Sequence, residues 1–117
     1  MMDQAALRSE ILETVNSILI LEGSESFVSE VRIVSAPAFF DQSYGTAMVL
    51  DDGSIALRIA VQRPVDQVAD TILHETAHVL LGSSHIDNPD HGLMFQSVYK
   101  ELRERYLSVV METLAHP

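Results

Sequence analysis

The sequence predicts an α+β domain: an N-terminal helix, a small sheet of at least three strands built around a hairpin, an active helix and a C-terminal helix. Three observations predict it. Apolar residues recur at three- and four-residue spacing over residues 3–22, 63–82 and roughly 93–115. Two runs rich in β-branched residues flank "DDGS". A chain of 117 residues, 47% apolar, with neither repeat nor linker, suits one core, so residues 1–117 are read as a single domain.

In the first helix Leu7, Ile11, Val15 and Ile18 form the stripe, Leu12 and Leu19 widen it, and Gly23 suits the C-terminal cap. "FVSEVRIVS", Phe27 to Ser35, reads as a strand. "APAFFDQSYG" reads as a loop, with Pro37 and Gly45 as breakers. "TAMVL" and "SIALRIAV" form a hairpin whose turn centres on Asp52-Gly53. Ile55, Leu57, Ile59 and Val61 alternate with Ala56, Arg58, Ala60 and Gln62, so one face is buried and the other small or polar.

"RPVDQVADTILHETAHVLLG" reads as a helix with Pro64 in its first turn, Asp66 and Asp70 near its positive end and Gly82 as its cap. Its core stripe is Val65, Val68, Ala69, Ile72, Thr76 and Val79. A loop from Ser83 to about Asp90 leads to the last helix, Leu93 to Ala115. Phe95, Val98, Leu102, Tyr106, Val109 and Thr113 make its seam, and Lys100/Glu104 and Glu101/Arg105 are ion pairs on its wet face.

Composition excludes several functions. Without cysteine, disulfides and thiolate metal sites are impossible, and any metal must be held by His, Asp or Glu. A net charge of −10 repels phosphate backbones, so nucleic-acid binding by this domain alone is not expected. The N-terminus lacks a basic region before an apolar run, and no stretch reaches the ~18 apolar residues of a membrane span. A cytoplasmic protein is the expectation. Between Pro64 and Tyr99 stand Asp66, Asp70, Glu75, Asp87 and Asp90 with no Lys or Arg. Such a run is a solvated acidic rim, a region that attracts a divalent or substrate cation, or both.

The chemistry-bearing motif is His74-Glu75-Thr76-Ala77-His78, or H-E-x-x-H, on the second helix. Residues four apart lie on one helical face, so both imidazoles can reach one zinc ion at ~2.0–2.1 Å. Glu75 lies between them, rotated off the ligand direction, where its carboxylate can act as general base toward a water. A purely structural zinc would call for a fourth protein ligand and favours cysteine.

Three groups compete to be the third ligand. His85 follows His78 by seven residues and resembles the metzincin pattern H-E-x-x-H-x-x-G-x-x-H, with Met94 as a counterpart of the Met-turn. That pattern needs glycine three residues after the second histidine, whereas Gly82 is four after, a rotation of ~100° on a helix. His91 is the second candidate. A carboxylate is the third: Glu101 or Glu104, both with ion-pair partners, or Asp87 or Asp90, which flank Pro89 in a turn-like "DNPDHG". Asp90 could instead orient His91. Tyr99 and Tyr106 could donate to an oxyanion but fit the helix seam better, and His116 is terminal and inert.

"LHETAHVLL…DHGLMFQSVYKELRERYL" resembles the SprT-like and WLM-type zinc metallopeptidases and their small bacterial relatives. The matching residues are His74, Glu75, His78, His91, Gly92 and Phe95, then Val98, Leu102, Arg105 and Tyr106. The resemblance spans about residues 70 to 107. It implies a minimal zincin-like fold, one Zn²⁺ per chain held by His74, His78 and His91, and Glu75 as catalytic base. It also implies that Gly92 permits a tight turn and that Phe95 packs beneath the site. The implied activity is hydrolysis of peptide bonds in a peptide or unstructured protein laid along the hairpin edge. An acidic chain without a separate nucleic-acid module does not carry over a role in DNA repair. Two other readings stand beside this one: a metal-dependent hydrolase of another class, such as a His-rich ribonuclease, and a zinc-bound interaction module without activity.

Overall fold

The computed structural model describes residues 3–34 and 44–115. The architecture is α+β, as the pattern predicts: an N-terminal helix, a three-stranded mixed sheet, then three helices ending in a long one. Helix α1 is Gln4–Leu21 and strand β1 is Val28–Val34. Strands β2, Gly45–Val49, and β3, Ile55–Ala60, form the hairpin. Helix α2 is Val65–Leu81, α3 is Ser83–Asp87 and α4 is Leu93–Ala115.

Helix α1 begins where Asp3 accepts from the Ala6 N–H at 2.7 Å. It ends in a Schellman motif: Gly23, at φ +72°, donates to Ile20, and Ser24 donates to Leu19. Ile11, Val15, Ile18 and Leu19 are its buried face. The Asn16 amide exchanges two 2.9 Å hydrogen bonds with the backbone of Val28, pinning the start of β1 to the helix. Periodicity gives no hint of this clasp, because Asn16 reads as an ordinary polar position.

The strand order is β1-β3-β2, with β1 parallel to β3 and β2 antiparallel to it. The turn differs from the two-residue form centred on Asp52-Gly53. Gly53 donates to Leu50, Leu50 donates to Ser54, and Gly53 sits at φ +85°, so Asp51 and Asp52 occupy the turn and glycine follows in the left-handed position. Asp52 also accepts from the Ser54 N–H at 3.0 Å.

Placing β3 in the centre alters its burial. Ile55, Leu57 and Ile59 are buried as predicted, but so are Ala56 and Ala60 on the other face, and Val61 lies past the strand and is only half-buried. Gly45 opens β2 instead of breaking a loop. Residues 36–43 of the predicted loop, and Ser35 and His116, lie outside the described residues.

Helix α2 packs on β2 and β3 with one side and on α4 with the other. It is therefore enclosed around much of its circumference, and Leu73 and Ala77 are fully buried beside the expected Val68, Ala69, Ile72, Thr76 and Val79. The buried Thr76 hydroxyl is satisfied by the Ile72 carbonyl at 2.7 Å. Val65, at the open N-terminal end, is 37% exposed and outside the core. On α4 the seam runs through Phe95, Leu102 and Val110, with Tyr106 half-buried, whereas Val109 is 57% exposed. Steps of four from Leu102 lead to Val110, and Val109 falls a rotation of ~100° away. Glu22 at the end of α1 accepts from Arg105 at 3.0 Å and from Tyr106 at 2.6 Å, which ties the first helix to the last. Among the described residues no helix is long and apolar enough to cross a membrane.

Candidate metal centre

His74 and His78 lie one turn apart on α2, and His91 comes from the segment that enters α4. Each of the three rings offers a nitrogen within 4.8 Å of the others. His78 Nε2 and His91 Nε2 are 3.2 Å apart. Two nitrogens on one tetrahedral zinc, each at ~2.0–2.1 Å, stand about 3.3 Å apart. That pair already has the required separation, and a His74 nitrogen lies within 4.8 Å of both.

The side chains around the trio explain its placement. Phe95 is buried, and its ring centroid lies 4.4 Å from that of His78 and 4.9 Å from those of His74 and His91. It forms an apolar floor that holds the imidazoles by their faces and edges. His91 is exposed, and its carbonyl accepts from the Gln96 side chain at 3.0 Å. Gly92 donates to Asp90 Oδ1 at 2.5 Å, and a side chain on Gly92 would meet that carboxylate oxygen at 2.7 Å. A side chain at Gly92 would thus have to displace the exposed Asp90 carboxylate from this bond. Asp90 shapes this turn and does not orient His91.

The other third-ligand candidates fall elsewhere. Glu101 pairs with Arg105 at 3.0 Å, and Glu104 approaches Lys100 at 4.0 Å, both on the exposed face of α4. Asp87 is exposed, and Met94 is 72% exposed and lies under nothing. Residues 83–87, predicted as loop, form the single helical turn α3, started by Gly82 at φ +101° and anchored by the buried Ile86. Its His85 does not join the trio. His85 Nε2 lies 2.7 Å from His78 Nδ1, on the far side of the His78 ring from His91.

Burial sets the protonation of the donors. His78 is pushed down from 6.5 to about 4, first by burial and then by the neighbouring His74, His85 and His91. His74 is also lowered, by burial first and then by His91, against an opposing pull from Asp70. Both rings are neutral at pH 7, the form in which imidazole binds a metal. The unfolded chain binds a proton at His78 near pH 6.5, and the folded metal-free chain only near 4. Falling pH therefore favours unfolding across that window, and full stability returns above it. The urea midpoint of the metal-free protein should drop between pH 7 and 5.5, where carboxylates are still ionised. A flat midpoint there would contradict the burial of an uncharged His78.

Glu75 is 5% exposed and lines the same cleft as the three histidines. This cleft of ≈ 190 Å³ is bounded by Gly45, Thr46 and Ala47 of β2 on one side and Ile86 and Pro89 on another. A second hollow of ≈ 210 Å³, lined by Tyr44, Asp70, Thr71 and Tyr99, meets it at Gly45, His74 and Glu75. The two follow β2, an edge strand whose outer side has no strand partner among the described residues. A Cβ on Gly45 would lie 2.6 Å from Thr71 Cγ2 and 3.1 Å from Glu75 Cγ. Thr71 is β-branched and stiff on its helix, so the strain falls partly on Glu75. Gly45→Ala is expected to lower any activity that depends on Glu75 by ~10-fold, since displacements of about 1 Å cost up to 10²-fold. An unchanged rate would show that the close approach of β2 does not position this carboxylate.

Sequence reading placed Tyr99 in the helix seam, and it is also a wall of the site. Its ring stands edge-on to His74 at 5.1 Å, and its hydroxyl donates to Asp70, which Arg103 also holds at 2.9 Å. This donor is already engaged, and the tyrosine is raised above its ordinary value by burial and by that bond. Periodicity could not reveal that position 99 faces position 70, one turn before His74. The acidic run thus divides: Asp70 is paired, Glu75 is buried in the cleft, and Asp66, Asp87 and Asp90 are on the surface.

Compared with protein-family models, curated proteins and solved structures, the chain matches none. What the residues establish is a site of three histidines that could bind a metal ion, with a buried carboxylate beside it.

Proposed function

We propose that the chain is a minimal zincin-type metallopeptidase, with one Zn²⁺ held by His74, His78 and His91. The observation that carries this reading is the burial of Glu75 in the cleft of the three histidines, on the same helix as His74 and His78. The donor set suits the ion: three imidazole nitrogens, no thiolate, and open cleft beyond them. Zinc held there would supply Lewis acidity toward a carbonyl oxygen and toward a water. Glu75 takes a proton from the attacking water and returns it to the departing amine nitrogen. The outer edge of β2, which has no strand partner among the described residues, would receive an extended peptide by backbone hydrogen bonding, as an added strand. With two hollows of about 200 Å³ each, the cleft favours flexible segments over substrates recognised through many deep pockets.

The test is metal analysis of the purified protein together with hydrolysis of casein, with and without chelator. The expected result is one zinc per chain and cleavage that chelation abolishes and zinc restores. Full zinc occupancy without cleavage across a broad peptide library would leave a metal-holding interaction module as the better reading.

A further inference from the structure

We infer that His85 is a positioning residue, which accepts the Nδ1 proton of His78 and so fixes Nε2 of His78 as the nitrogen turned toward the metal. This rests on the metal site proposed above.

An imidazole with one nitrogen on a metal must carry its proton on the other. His78 is 6% exposed, and a buried N–H left without an acceptor is destabilising. The partner in place is His85 Nε2, at 2.7 Å from His78 Nδ1. The rings are 24° from coplanar with centroids 4.9 Å apart. That separation is close to the N···N distance plus the two ring radii. The contact is therefore an in-plane hydrogen bond and not a face-to-face stack. On the opposite side of the same ring, Nε2 points to His91.

The local fold serves this bond. Gly82 turns the chain out of α2 at φ +101°, α3 makes one turn, and Ile86 anchors it in the core, which leaves His85 against the back of His78. The acceptor behind a ligating histidine is commonly a carboxylate or a backbone carbonyl. Here it is a second imidazole, which adds no negative charge to the site. His85 must then carry its own proton on Nδ1. The role differs from that of a ligand in one respect that can be measured: a neutral acceptor of another kind can replace it.

The experiment measures zinc affinity for wild type, His85→Ala and His85→Gln, counts imidazoles on zinc by X-ray absorption, and reads ring protonation in zinc-loaded wild type by long-range ¹H–¹⁵N NMR. His85→Ala should weaken zinc binding by ~10–100-fold, the range for removing a partner of a ligating histidine. His85→Gln, whose amide oxygen can accept, should recover most of that loss. Three imidazoles should remain on zinc in every variant, and both His78 and His85 should carry their protons on Nδ1. The inference is overturned by equal affinity in wild type and His85→Ala, by a count falling from three to two, or by a proton on His85 Nε2. If His85→Ala does not fold, the wild-type protonation pattern decides. Wild type that takes up no zinc would bring down the metal site itself, and the role of His85 with it; zinc binding with any of the contrary results removes only the role of His85.

Discussion

Glu75→Gln is expected to keep zinc and melting temperature nearly unchanged and to lower casein hydrolysis by at least ~10²-fold, the lower end of what a positioned general base contributes. Glutamine matches glutamate in size and helix propensity, so α2 should form as before. Glu75 does not belong to the histidine trio, so metal uptake should persist. What changes is the capacity to accept a proton inside the cleft. Because Glu75 is 5% exposed, bulk water cannot readily take over that task. A variant that cleaves as fast as wild type would show that the carboxylate has another purpose, even with zinc bound by the three histidines. A variant that loses zinc would show that Glu75 takes part in holding the ion.

His91→Ala is the second large effect. Removing one of three protein donors should cost more zinc affinity than the ~10–100-fold that follows loss of an outer partner, and should abolish hydrolysis at micromolar zinc. The fold should be indifferent. His91 is exposed and belongs to no helix, so the metal-free variant should match metal-free wild type within ~0.5 kcal/mol by urea unfolding. Isothermal titration with zinc reads the first quantity. Retention of tight binding in His91→Ala would exclude the trio as the metal site and return His85 or a carboxylate to consideration.

The elements themselves were legible because each leaves a local signature. The helical stripe through Ile11, Val15 and Ile18, the alternation through Ile55, Leu57 and Ile59, and the glycine after Asp52 all act within a few residues. His74, Glu75 and His78 were legible for the same reason, since one helical turn fixes their relation. What escaped was set by contacts between distant segments. The enclosure of α2 by the sheet and α4 hides Leu73 and Ala77, which lie off the predicted stripe. The place of Tyr99 depends on Asp70, 29 residues away, and the clasp of Asn16 on Val28 spans 12. His85 and His91 could be ranked from spacing and resemblance, but the two sides of the His78 ring that separate their positions exist only once α3 has folded back.

Helix α1 and strand β1 contribute no group to the histidine cleft. The smallest stretch that carries the chemistry is therefore shorter than the smallest unit able to fold. A fragment beginning at Ser24 would keep every histidine and Glu75, yet it would lose Ile11, Val15, Ile18 and Leu19. At about 1.5–3 kcal/mol for each buried side chain, that deficit is on the order of 6–12 kcal/mol, comparable to the entire stability of a small domain. Such a fragment should show no cooperative melting transition by circular dichroism, and a sharp transition would prove the first helix dispensable. Helix α1 thus serves the histidine cleft at a distance: substitutions on its inward face should unsettle the core on which the cleft is built, while those on its outward face should not.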